Sequence, residues 1–281
     1  MQINVFTSVD CDVAGTIEQI QAGELSRRWR YGMDRGLYIA ATGMTTAMVR
    51  QDVIAANLAN VATVGYKTDR VVNETFAENL SYSMQGGSRH SLGSLNYGTR
   101  VAGTITDFSQ GDFRASEHPF DVALAGDGFF SVRKQDGTVA YTRDGQFMRS
   151  GDGFLMTQQG EYVLGPDRLP VFAGTDGEPV ITADGQVKAS DGTNLGQIAV
   201  VTLDIPSAVK VGGNEWLGEE TGGMPGTTQL KQKFVEASTV KSVQEMVEMI
   251  STVRSYESSQ RVIQAIDGTL DKAVNSVGAL G

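Results

Sequence analysis

Residues 242–277 read SVQEMVEMISTVRSYESSQRVIQAIDGTLDKAVNSV. Met249, Tyr256, Ile263, Leu270 and Val277 fall seven apart, and Thr252, Ser259, Ile266 and Ala273 follow three residues after the first four. This is a heptad seam with one large row and one smaller, partly polar row. No proline interrupts it, and it is long enough for roughly ten helical turns. A helix with so narrow an apolar stripe needs a partner to cover it. The candidate partner lies near the other end, between Leu37 and Val61. There Leu37, Met44 and Leu58 occupy one row, interrupted by Gln51, and Ala40, Ala47, Ile54 and Val61 occupy the other. Small residues let a neighbouring helix approach closely, and a polar residue in the seam helps to fix register. An ordinary amphipathic core helix would show the same periodicity. The first helix is expected to end near Asn60, which tolerates a left-handed cap, before a turn at Thr63-Val64-Gly65-Tyr66. Ser242 with Glu245 can form a capping box at the start of the second. Gly268 inside that helix costs about 1 kcal/mol relative to alanine.

Between the helices the period changes. From 104 to 203 short alternating runs appear, such as Phe120-Asp121-Val122-Ala123-Leu124 and Phe129-Phe130-Ser131-Val132. Asp-Gly pairs begin at Asp127, Asp136, Asp144, Asp152, Asp176, Asp184 and Asp191. Asp-Gly supplies the positive backbone dihedrals of tight turns, so the region reads as an antiparallel β domain. The expected fold class is therefore α+β: N- and C-terminal helices forming a coiled-coil-like layer, with a central antiparallel β-rich domain. The expected segments are 1–32, a leader or an artefactual start ahead of Met33; 33–62, a helix; 63–103, an extended connector; 104–203, the β domain; 204–237, a glycine-rich connector; and 238–281, the second helix.

Composition narrows the function. A net charge of −10 argues against nucleic acid, which requires a basic surface. No apolar run approaches the ~18–20 residues of a membrane helix. Cys11 is the only cysteine, so a cysteine-based metal site is not expected, and His90 and His118 lack partners at zinc-ligand spacing. The N-terminus lacks the charged and apolar regions of a secretory signal peptide. No nucleophile elbow or phosphate loop is present. The acidic turns at Asp144, Asp152, Asp184 and Asp191 do not compose a calcium loop. A glycan-cleaving carboxylate pair, Glu117 with Asp121 or Glu161 with Asp167, is the alternative enzymatic reading. No catalytic, cofactor-binding or metal-binding residue and no small-molecule ligand is expected.

Three separated stretches resemble the bacterial flagellar rod and hook axial proteins. The first is Met33-Asp34-Arg35-Gly36-Leu37-Tyr38-Ile39-Ala40 with Gly43-Met44, followed by Asn57-Leu58-Ala59-Asn60-Val61 and Thr63, Gly65, Tyr66 and Lys67. The second runs from Asp121 to Phe130 and from Tyr141 to Phe147, with Gly160 and Val163-Leu164-Gly165. The third is Phe234-Val235-Glu236-Ala237-Ser238, then Glu245-Met246-Val247, Tyr256-Glu257 and Ile263-Gln264-Ala265. Two positions depart from the family pattern: Ala56, where the family usually has Asn, and Thr239, where Asn is typical. The start at Met33 and the long tail after Ile266 look more like the proximal-rod type than the distal-rod type. The resemblance implies a structural subunit of the basal-body rod and not an enzyme. It implies partners among copies of itself, other rod and hook subunits and the flagellar export apparatus, and export to the cell envelope through the flagellar secretion channel. A distal-rod or hook-type subunit of the same family is the alternative. Subunit contacts are then expected at Leu37, Ala40, Met44, Ala47, Ile54, Leu58, Val61, Met249, Tyr256, Ile263, Ile266 and Leu270, and the family signature at Asn57, Leu58, Ala59, Asn60, Thr63, Gly65 and Lys67.

Overall fold

The computed structural model describes the backbone of residues 10–75, 78–85, 88–96 and 98–278, and the side chains of 35–75 and 98–275. Helix α1 (Asp10–Ala59) opens the chain and α2 (Ser242–Gly278) closes it. The chain divides into two units: 1–52, 71–104 and 249–281 form one, and 53–70 with 105–248 form the other. The α+β class is present, with antiparallel strands between two helices.

In the first unit α1 and α2 meet at small residues. A Cβ built on Gly36 would touch Ile266 Cδ1 at 3.4 Å, and one on Gly43 would touch Ser259 Oγ at 3.4 Å. The two helices therefore run antiparallel, with Ala40 and Ala47 buried on the same face of α1 as the glycines. On α2 the inward residues are Thr252, which is buried, and Met249, Tyr256, Ser259, Ile263 and Ile266, which are half-buried. Gly98, at φ +124°, packs so closely on Thr42 that a Cβ there would overlap the Thr42 hydroxyl.

Strands β1 (Asp69–Thr75) and β4 (Thr99–Thr106) pair with each other, as do β2 (Glu78–Gln85) and β3 (Ser88–Asn96). The β2–β3 register runs from Glu78↔Asn96 to Gln85↔Ser88. Residues 69–75 with 99–106, and 78–85 with 88–96, are thus paired strands within the stretch expected as an extended connector. β1 and β4 are mostly exposed on both faces, so selection leaves no apolar alternation to read.

The second unit is built on β5 (Phe113–Ala115), β6 (Val122–Ala125), β7 (Phe129–Arg133), β8 (Val139–Thr142), β9 (Phe147–Arg149), β10 (Leu155–Thr157), β11 (Tyr162–Val163), β12 (Val180–Ile181), β13 (Gln186–Lys188), β14 (Asn194–Gln197) and β15 (Val200–Leu203). Residues 204–237, expected as a connector, carry five more strands: β16 (Val209–Lys210), β17 (Glu215–Leu217), β18 (Glu220–Gly222), β19 (Gln229–Gln232) and β20 (Phe234–Glu236). They are two to four residues long, too short for alternation to show, and most pair far from their own sequence position. The main sheet runs β16-β17-β8-β7-β11-β10-β9, with β15 joining β7 and β18. β19 pairs β6 and β20 pairs β5. The core holds Val122, Leu124, Phe130, Val132, Leu155, Val163 and Ile198, and a second cluster gathers Phe129, Tyr141 and Trp216. Within the β domain, glycine has positive φ in every Asp-Gly pair except Asp144-Gly145. Gly145 serves close approach instead: a Cβ there would overlap the Val122 carbonyl oxygen.

Gly268 sits inside the unbroken helix α2, and a Cβ there meets nothing within 4 Å. Gly268→Ala is expected to raise the helix's stability by about 1 kcal/mol. Residue-level hydrogen exchange around 264–272 checks this; unchanged or faster exchange would contradict it.

Candidate functional site

The signature residues converge in the second unit, where the end of α1 meets β20 and the start of α2. Asn57 is 1 % exposed. Its Nδ2 donates to the Asp69 carbonyl (2.9 Å), and its Oδ1 accepts from the Asp69 N–H (3.1 Å) and from the Tyr66 hydroxyl (3.2 Å). One amide side chain therefore pairs both backbone groups of Asp69, as a strand would. Nδ2 also reaches Glu245 Oε2 at 3.3 Å, so the Glu245 carboxylate bonds across to the first helix.

α1 ends at Ala59, close to the expected boundary, but Asn60 is not left-handed. Its side chain does the capping: Nδ2 donates to the Ala56 carbonyl (2.8 Å), and Oδ1 accepts from the Thr63 hydroxyl (3.1 Å). The left-handed residue is Gly65, at φ +68°. Its N–H donates to the Glu236 carbonyl at 2.9 Å. A Cβ on Gly65 would lie 2.5 Å from Arg143 C and 2.6 Å from Asp144 N.

This approach carries Lys67 into the interior. Lys67 Nζ donates to Glu236 Oε1 (2.6 Å) and to the Ser109 carbonyl (2.7 Å). Arg143 Nη1 reaches Glu236 Oε2 at 3.3 Å, and the Gly111 N–H donates to Glu236 Oε1 at 2.8 Å. The side chains of Lys67 and Glu236 are each 1 % exposed and that of Arg143 is 4 %. One carboxylate thus serves two buried cations. Burial pushes Lys67 and Arg143 below their ordinary pKa values, and Glu236 opposes both shifts. Tyr66 is pushed up to about 12, first by burial and then by the charges of Asp69 and Glu245. Lys210 Nζ sits 4.2 Å from the Tyr66 ring centroid and 2.8 Å from Asp69 Oδ2. Asp144, raised by burial, accepts from Asn214 Nδ2 (3.1 Å), which also donates to the Val64 carbonyl (3.1 Å).

The two departures from the family pattern are accommodated. Ala56 is exposed, where a side-chain change meets solvent. Thr239 Oγ1 accepts from the Thr68 N–H (3.0 Å) and bonds the Thr68 hydroxyl (2.9 Å). Of the expected contact residues, Ala40, Ala47 and Ile54 are buried, and Met44, Leu58, Met249, Tyr256, Ile263 and Ile266 are half-buried. Leu37, Val61 and Leu270 are 37 to 39 % exposed. Glu236, Arg143 and Asn214, which complete the clamp, had no assigned role in the sequence. Their partners lie 70 to 169 residues away.

One carboxylate of each pair considered for glycan cleavage is engaged elsewhere. Asp121 is buried and accepts from Ser116 Oγ at 2.5 Å. Glu161 lies 4.0 Å from Lys134, which also pairs with Glu215 at 2.5 Å. Among the described residues no His, Cys, Asp and Glu group could hold a metal ion.

Two interlocked helix roots on a β domain define an axial-subunit architecture, and comparison with known proteins agrees. The family model for flagella basal body rod proteins matches residues 37–67, that for the flagellar hook protein FlgE/F/G D1 domain matches 123–211, and that for the basal body rod FlgEFG C-terminal region matches 231–276. The flagellar basal-body rod protein FlgG of Bacillus subtilis is 35 % identical over 271 residues, covering 86 % of this chain and 99 % of that protein. FlgG of Buchnera aphidicola from Schizaphis graminum is 33 % identical over 264 residues, covering 84 % and 97 %. The flagellar hook-basal body complex protein FlhO of Bacillus subtilis is 30 % identical over 274 residues, covering 88 % and 100 %. The chain belongs to the flagellar rod and hook family. It is a structural subunit of the basal body and not an enzyme.

Proposed function

We propose that the chain builds the wall of the flagellar rod through its two terminal helices, together with copies of itself and other rod and hook subunits. The supporting observation is the composition of α1. Between Gly36 and Ala59 its only charged residues are Arg50 and Asp52. Leu37, Ile39, Met48 and Val49 are exposed although Ala40, Ala47 and Ile54 are buried. A helix with so few charges that exposes large apolar side chains outside its buried face calls for a further packing partner. α2 likewise exposes Val243, Met246, Val247 and Ile250. The strand pair β1–β4 adds a third surface, since two paired strands are at best marginally stable alone. Contacts of this kind do not close into a ring, and they propagate as an open helical assembly. Export proceeds through the flagellar secretion channel, and the assembled rod transmits torque towards the hook.

The test is Ile263→Asp in a strain lacking the wild-type gene. Ile263 lies on the inward face of α2, and a carboxylate there buries an unpaired charge in the helix pair. Loss of swimming, with no rod in isolated basal bodies, is expected. Normal swimming would remove Ile263 from the seam and with it the need for an intact helix pair in assembly. A peptidoglycan zymogram of the purified protein addresses the hydrolase reading; clearing that is abolished by Glu161→Gln would restore it.

A further inference from the structure

α1 and α2 each carry a second stripe on the side away from their mutual contact, and the two stripes complement each other. The α1 stripe includes Met48, Asp52, Ala56 and Ala59, all exposed. The α2 stripe, read backwards, gives Ser258, Arg254, Ile250 and Val247, also exposed. Both follow the same spacing of four, four and three residues, which keeps side chains on one face of a helix. Side-chain sizes alternate across the pair: Met48 is matched with Ser258, while Ala56 and Ala59 are matched with Ile250 and Val247. The single charge on each stripe falls at the same place and has opposite sign. Asp52 and Arg254 take part in no ion pair among the described residues, although both stand in otherwise uncharged surroundings on their stripes.

We propose that this outer face of α1 in one copy packs against the outer face of α2 in the next, with Asp52 paired to Arg254. The inference rests on the assembly reading above and names its partner, a second copy of this chain. Geometry favours that occupant. The inward faces already meet within one copy, so the outer faces are left for a neighbour. In a polar assembly all copies point the same way, so a neighbour's α2 runs antiparallel to α1, as the copy's own α2 does. That is the direction in which the two stripes match. The contact joins different patches of the two copies, and such a heterologous interface extends without closing.

A charge swap tests it in cells expressing the full chain. Asp52→Arg and Arg254→Asp each place like charges in the interface, and each should reduce basal bodies with complete rods by at least tenfold. The double variant Asp52→Arg/Arg254→Asp should restore them to at least half the wild-type number. Single variants that assemble normally, or a double variant that fails as the singles do, would overturn the pairing and leave the assembly role intact. Wild-type protein absent from isolated rods would overturn both. Folding is checked independently with Ala59→Cys/Val247→Cys in a Cys11→Ser background. Oxidation of assembled rods should yield a ladder of cross-linked copies, and monomer alone would overturn the proposal.

Discussion

Glu236→Ala is expected to destabilise the β domain by about 3–5 kcal/mol, the cost of breaking a buried ion pair by removing one partner. The arrangement makes the loss asymmetric. Glu236 faces Lys67 on one carboxylate oxygen and Arg143 on the other, and all three side chains are almost wholly buried. Removing the carboxylate leaves two cations unpaired in the interior and also orphans the Gly111 N–H. Removing one cation leaves a neutral pair. Lys67→Met, which keeps the length of an aliphatic chain, should therefore cost much less than Glu236→Ala, and so should Arg143→Met. The cost of removing one member of a buried ion group comes from the charge left uncompensated, and with either cation gone Glu236 still has a partner. The lowered pKa of Lys67, caused first by burial, points the same way. Chemical denaturation of the three purified variants, followed by tryptophan fluorescence, measures the ranking, because Trp216 lies in the same unit and is 1 % exposed. Equal losses in all three would show that Lys67 and Arg143 contribute through packing rather than charge, and the account of the clamp would fall.

The sequence carried this motif without its chemistry. Asn57, Gly65 and Lys67 stood out by resemblance, yet the groups that explain them lie on β20, in the turns after β8 and before β17, and in the loop before β5. Local patterning cannot reveal an ion pair between residues 169 positions apart. The helix seams were legible in part. Ala40, Ala47, Ile54, Thr252 and Ile263 fall on inward faces, but Leu37 does not. Close approach occurs at Gly36 and Gly43, and glycines are invisible to a search for apolar periodicity. Val61 lies beyond the end of α1 at Ala59, in the turn, so a helical row cannot place it on the contact face. The Asp-Gly turns were readable because positive φ has a local cause. Gly145 shows the limit of that reading, since its reason is the carbonyl oxygen of Val122 on a different strand.

Gly65→Ala should cost about 2–5 kcal/mol and should do so without touching a side chain of the clamp. Two terms add. An L-residue at φ +68° pays roughly 1–2 kcal/mol for the left-handed conformation. The new Cβ also meets the backbone of Arg143 and Asp144 at 2.5–2.7 Å, where real Cβ contacts do not occur; overpacking of this kind typically costs about 1–3 kcal/mol. Backbone atoms cannot swing aside as a side-chain tip can, so the turn must withdraw from the segment that follows β8. That withdrawal stretches the Gly65 N–H bond to the Glu236 carbonyl and draws Lys67 out of its bonds to Ser109 and Glu236. A comparison with Gly160→Ala isolates the second effect. Gly160 also has positive φ, at +87°, but its Cβ would meet only the tip of Gln135 at 3.6 Å. Gly160→Ala should therefore show the conformational cost alone. If thermal denaturation gives the same loss for both variants, close approach at Gly65 contributes nothing and the signature glycine is explained by turn geometry. A larger loss at Gly65, with faster hydrogen exchange at residues 65–68, is the outcome that ties this glycine to the buried charges beside it.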